Sequence, residues 1–170
     1  MLAQAFASIA LGLLAASGLA KLIDSEPTTG AMKSARLPAS RAITYALAAI
    51  EITVAVMGLT TDVVVGAAGA AALLYAAFTL FTFAAVRKRI PVQSCGCFGR
   101  EDTPPSWIHV AFNATATVAL ASTALLRLPP VDWSLPIGQL VLYGGFTVMG
   151  VCASYLLLNH LPRLLELARS

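Results

Sequence analysis

The sequence predicts an all-α protein, a polytopic bundle of membrane helices, and three observations carry that reading. Hydrophobic residues make up 58% of the 170-residue chain and charged residues only 11%. A soluble domain carries roughly 25% charged residues. Mean hydropathy is +0.81. The apolar residues fall into five stretches, near 2–23, 42–60, 63–86, 108–126 and 136–158. Each approaches the ~20 residues needed to cross hydrocarbon. Lipid leaves open backbone groups unsatisfied, so all five are expected to be helices.

The first stretch has no Lys or Arg before Lys21. It therefore lacks the basic start of a cleavable signal peptide. Ala15, Ala16, Ser17 and Gly18 imitate a cleavage site, but the stretch reads as a retained helix. It is followed by a loop over 24–41 in which Pro27, Gly30 and Pro38 are expected to interrupt any continuous helix. A short interfacial helix is predicted at 31–37. The second and third stretches are rich in small residues, among them Ala46, Ala48, Ala49, Gly66 and Gly69. Small faces let membrane helices approach closely. Gly144, Gly145 and Gly150 suggest the same for the fifth. The connections over 60–62 and 127–135 are short turns between neighbours. Trp107 and Trp133 stand at span borders, where aromatic belts are expected. The whole chain, 1–170, reads as one integral membrane domain.

The net charge of +3 is small, and it belongs to loops rather than to a nucleic-acid footprint; no nucleic-acid partner is expected. With five spans, one side of the membrane receives Lys21, Lys33, Arg36, Arg41, Arg87, Lys88, Arg89, Arg100, Arg163 and Arg169. The other receives Arg127. Cytoplasmic loops carry the Lys/Arg excess. The count puts the C-terminus and the loop over 87–107 inside a cell membrane, and the N-terminus outside.

That loop holds the chemistry. Cys95-Gly96-Cys97-Phe98-Gly99 places two thiols one residue apart. At that spacing the Cα atoms sit near the upper end of the about 4.4–6.8 Å that a disulfide spans. Gly96 relieves the resulting backbone strain. A strained, exposed disulfide is labile and suits exchange rather than stapling. Arg87, Lys88, Arg89 and Arg100 lie close in sequence, and nearby cations raise the thiolate fraction. The same pair could grip a soft metal such as Cu(I), Zn or Hg(II). Two ligands do not complete a zinc site, however, and no His or carboxylate follows at finger spacing. A third thiol, Cys152, lies deep in the fifth stretch. It reads as a small packing residue or, more sharply, as a resolving thiol for Cys95 or Cys97.

Glu51 stands near the centre of the second stretch. A carboxylate there costs at least ~2.5 kcal/mol to insert, so it must meet a partner or a polar cavity. It is read as a proton relay, as an anchor for a bound headgroup, or as a protonated bridge between helices. Asn113 in the fourth stretch is one expected partner. His109, one turn before Asn113, is a possible base for the thiols but reads first as a solvated interfacial residue. Lys21 is expected to snorkel or to pair with a carboxylate.

Taken together, Ser17-Gly18-Leu19-Ala20-Lys21, Glu51, Cys95-Gly96-Cys97-Phe98-Gly99 and Asn113 resemble the MauE family of methylamine-utilisation membrane proteins, related to the DoxX-like proteins. The resemblance covers about 1–125. It implies a four-helix DoxX-like core with an additional helix at about 136–160. Phe112 departs from the pattern, standing where the family often has an arginine. The resemblance implies a redox-associated protein that helps form or maintain disulfides in exported cysteine-containing proteins, beside a thioredoxin-like partner. In the namesake system that partner is extracytoplasmic, the opposite side from the charge count.

The leading expectation is thus a membrane thiol–disulfide redox protein or accessory factor. Cys95 and Cys97 would exchange, Glu51 and His109 would handle protons, and Lys21, Asn113 and Cys152 would support them. A quinone is a possible electron acceptor, although no motif demonstrates one. The alternatives are a transporter or binder of a soft metal or small thiol-reactive ligand, with Cys95 and Cys97 as ligands, and a non-catalytic assembly scaffold.

Overall fold

The computed structural model describes residues 2–60, 64–90, 103–129 and 131–167. Among them are six helices and no strand: α1 Leu2–Ile23, α2 Glu26–Ser34, α3 Arg41–Thr60, α4 Val64–Arg87, α5 Trp107–Leu125 and α6 Ile137–Leu167. Five are long and apolar enough to cross a membrane; α2 is not. The expected spans are therefore present, and the chain is a multi-pass helical protein that would sit in a lipid bilayer. α6 runs well beyond the expected end at 158, because the leucine-rich stretch that follows favours helix continuation.

α1, α3, α4 and α5 share one core. Ala7, Ala10, Leu11, Leu14, Ala55, Ala71, Tyr75, Ala116 and Leu120 are all buried in it. Alanines predominate inside, beside Leu11, Leu14, Tyr75 and Leu120, while large apolar residues such as Leu73, Leu80, Val118 and Leu125 point outward. In a bilayer this is the expected arrangement, since lipid solvates leucine as well as a core does. The Tyr75 hydroxyl donates to the Ala10 carbonyl across α4 and α1 at 2.7 Å.

α6 lies outside this core and packs chiefly on α1. Its large side chains Ile137, Val141, Leu142 and Met149 are exposed. An added Cβ at Gly144 or Gly145 would meet open space, so neither serves a helix contact. Only Gly150 of that expected trio is tightly apposed, against Ile9 of α1. Cys152 is exposed as well, which corrects its reading as a packing cysteine.

α2 replaces the expected helix at 31–37 and starts five residues earlier. Pro27 lies in its first turn, where a missing N–H costs nothing. Glu26 in that first turn and Lys33 in the last suit the helix dipole. Helices α2, α4 and α5 end alike, each on an arginine in the left-handed region: Arg36 (φ 58°), Arg89 (φ 48°) and Arg127 (φ 53°). In each case the residue beyond donates back five positions, Leu37 to Met32 at 2.9 Å, Ile90 to Ala85 at 3.0 Å and Leu128 to Thr123 at 2.9 Å. This closing pattern ordinarily uses glycine. Here the side-chain cation at the negative helix end compensates.

At the membrane end where α1 begins, Gln4 Nε2 donates to the Pro129 carbonyl at 2.9 Å. Trp133 Nε1 donates to the Leu59 carbonyl at 3.0 Å. The opposite end carries α2, the start of α5 and both borders of the cysteine loop.

Candidate functional site

The site begins with close approach. Gly18 sits where α1 meets α3, and an added Cβ would lie 2.7 Å from Ile52 Cγ1 and 2.9 Å from the Ala48 carbonyl oxygen. With hydrogen there instead, Lys21 on the next turn of α1 reaches into the bundle. Its Nζ lies 2.9 Å from Glu51 Oε2, and both side chains are excluded from the surface at 3% and 0% exposure. Nζ also donates to Ser17 Oγ at 2.5 Å, one turn back on the same helix. The Phe78 ring of α4 lies 5.9 Å from Nζ.

The pair resolves what Glu51 meets. Its partner is Lys21, not Asn113. A buried carboxylate and ammonium stabilise each other only as a pair, and removing one strands the other at a cost of about 3–5 kcal/mol. The second carboxylate oxygen, Oε1, is fully buried and has no hydrogen-bond partner among the described residues.

Two cavities flank the pair, with Phe78 lining both. The larger, of about 240 Å³, lies between α2, α3 and α4 and is walled by Leu47, Leu74, Phe81 and Met32, with Lys21 at its edge. α2 covers it, held down by Thr29 hydroxyl to Thr44 hydroxyl at 2.9 Å. Its walls are chiefly apolar. The smaller, of about 20 Å³, lies among α1, α4 and α5 and is lined by Ser17, Tyr75, Phe78, His109 and Asn113.

His109 is buried at 2% exposure, which corrects its reading as a solvated residue. It occupies the third position of α5, where Ser106 and His109 close a reciprocal cap. The Ser106 backbone N–H donates to His109 Nδ1 at 3.3 Å, and the Ser106 hydroxyl lies 2.9 Å from the same nitrogen. Asn113, four residues on, is buried on the same face. Phe112 packs against Phe6 of α1 with ring centroids 5.6 Å apart.

Cys95 and Cys97 lie outside the described residues. The borders of their loop are described. α4 ends at Arg87, and Thr103, fully buried, donates to the Leu158 carbonyl of α6 at 3.1 Å. Among the described residues no group of three or more His, Cys, Asp or Glu could hold a metal ion.

Sequence reasoning named Lys21, Glu51, His109 and Asn113, offered Asn113 as a partner for Glu51, and left Lys21 between snorkelling and pairing with an unnamed carboxylate. It missed Ser17 and Ser106 as side-chain partners. The four-residue spacing of Ser17 and Lys21 was the available signal, as was Ser106 three residues before His109.

The fold and this interior define a class: a multi-pass helical membrane protein with an ion pair sealed in its bundle. Residues 1–128 match the family of Methylamine utilisation protein MauE. The chain is 36% identical over 154 residues to the Methylamine utilization protein MauE of Paracoccus denitrificans, covering 88% of this chain and 82% of that protein. The chain belongs to the MauE family. No solved structure matches it.

Proposed function

We propose that this protein is a membrane thiol–disulfide redox factor serving methylamine utilisation, as its relative's name indicates for that protein. Cys95 and Cys97 exchange with a disulfide of a thioredoxin-like or exported cysteine-containing partner. The two thiols become a disulfide, the partner's disulfide becomes two thiols, and two protons move with the two electrons. The observation that carries this reading is the convergence at one membrane end. The borders of the cysteine loop, the capped His109 and the Lys21 terminus of α1 all lie there. His109 at that end and Glu51 deeper in the bundle are two groups able to hold a proton for thiol chemistry. The Lys/Arg asymmetry favours the cytoplasmic side for the loop.

Mass-shift alkylation of Cys95 and Cys97 tests the proposal in intact and lysed cells. The expected result is labelling that depends on prior reduction and that stops when both cysteines are replaced by serine. Full labelling without reductant sinks the redox reading. An impermeant maleimide that labels reduced, intact cells from outside reverses the orientation and leaves the exchange chemistry standing.

A further inference from the structure

We infer that the small cavity among α1, α4 and α5 binds one ordered water molecule, which joins His109 to Ser17 and so to the Lys21–Glu51 pair. The inference starts from the histidine. A backbone N–H is always a donor, so Nδ1 of His109, which receives the Ser106 N–H at 3.3 Å, presents a lone pair. A doubly protonated ring could not accept there. The ring is therefore neutral and carries its hydrogen on Nε2. That Nε2 is fully buried and has no hydrogen-bond partner among the described residues. A buried N–H without an acceptor costs about 1–3 kcal/mol.

The cavity removes that cost. Its volume of about 20 Å³ exceeds the roughly 10–15 Å³ that one water requires. An internal water needs two to four polar partners, and a purely apolar void of this size stays dry. His109, Asn113 and Ser17 all line this one. The water accepts from Nε2–H and shares its own hydrogens with the Asn113 amide oxygen and Ser17 Oγ. Ser17 Oγ already accepts from Lys21 Nζ at 2.5 Å. The result is a polar thread from Ser106 at the membrane end, through His109 and the water, to Ser17, Lys21 and Glu51 in the bundle. Its use in proton handling rests on the function proposed above; its existence does not.

Solid-state NMR on the full chain in lipid bilayers tests it. The protein has two histidines, so His160→Gln leaves the ¹⁵N-labelled ring of His109 alone in the spectrum. The expected spectrum has a protonated Nε2, a hydrogen-bonded and unprotonated Nδ1, and magnetisation transfer from an immobilised water to Nε2–H. Asn113→Leu fills the cavity, and the water transfer is then lost while the tautomer stays. A wild-type Nε2–H that receives nothing from water overturns the inference, as does a ring protonated on Nδ1. Cysteine alkylation is read separately on the same protein. A failed redox reading with the water present, and a dry cavity with the redox reading intact, are thus distinct results.

Discussion

α1 shows two different faces to its neighbours. Toward α3 it presents Ser17, Gly18 and Lys21, and the contact is sealed over a buried ion pair. Toward α6 it presents Ser8, Ile9 and Gly12, and the contact is apolar apart from Ser8 and the Tyr143 hydroxyl at 2.8 Å. Both faces use glycine for close approach, yet the obstacle differs. At Gly18 a Cβ would meet the backbone oxygen of Ala48, which α3 holds fixed. A Cβ at Gly12 of α1 would meet the side chain of Val151 on α6, and one at Gly150 of α6 the side chain of Ile9 on α1, and a side chain can turn aside where a backbone oxygen cannot. One face specifies a geometry; the other only fills a seam.

The largest expected effect breaks the first face. Glu51→Ala or Lys21→Ala leaves the partner charged and buried, costing about 3–5 kcal/mol. The double variant Lys21→Met/Glu51→Leu recovers most of this, because no charge is then stranded. Unfolding in detergent across the four proteins gives the coupling energy. A double variant as unstable as either single one would remove the pairing as the cause.

Gly18→Ala comes next, at about 1–3 kcal/mol, because the clash is with backbone. It should also lengthen the Lys21–Glu51 contact. Gly150→Ala should cost less, about 0.5–1.5 kcal/mol, the scale of a forced rotamer. Equal losses at the two glycines, measured in the same detergent, would erase the contrast between the faces.

The smallest effect concerns the turn that delivers α6. Asp132 accepts from the Ser134 hydroxyl at 2.6 Å and from its backbone N–H at 3.0 Å. These bonds hold its carboxyl below the ordinary value of 3.8. The folded turn thus favours the ionised form, so its contribution is complete above 3.8 and fades as pH falls through the lowered value. The Ser134 amide shift should follow that titration, and Asp132→Asn should abolish it. A bundle that unfolds in the same step would mean that the turn does not titrate independently of the helices it joins.

Much of the fold was legible. A mean hydropathy of +0.81 and the spacing of apolar stretches require membrane helices, because hydrocarbon admits no other open segment. Glu51 announced itself by its cost in lipid. Lys21 was read as snorkelling or pairing, and the choice between them needed Gly18 seated against Ala48. The arginines at three helix ends were not foreseeable, since the pattern they close ordinarily calls for glycine.

The sequence by itself determined the class of the protein, its five spans and the presence of a thiol pair between the third and fourth of them, because these follow from composition and local spacing. The tertiary structure alone decided which polar groups meet. Lys21 and Glu51 are thirty residues apart, and His109 shares a cavity with Ser17 of another helix. Such meetings depend on the rotation and depth of each helix. Those are set by the packing of small residues across the whole bundle, and no single segment encodes them.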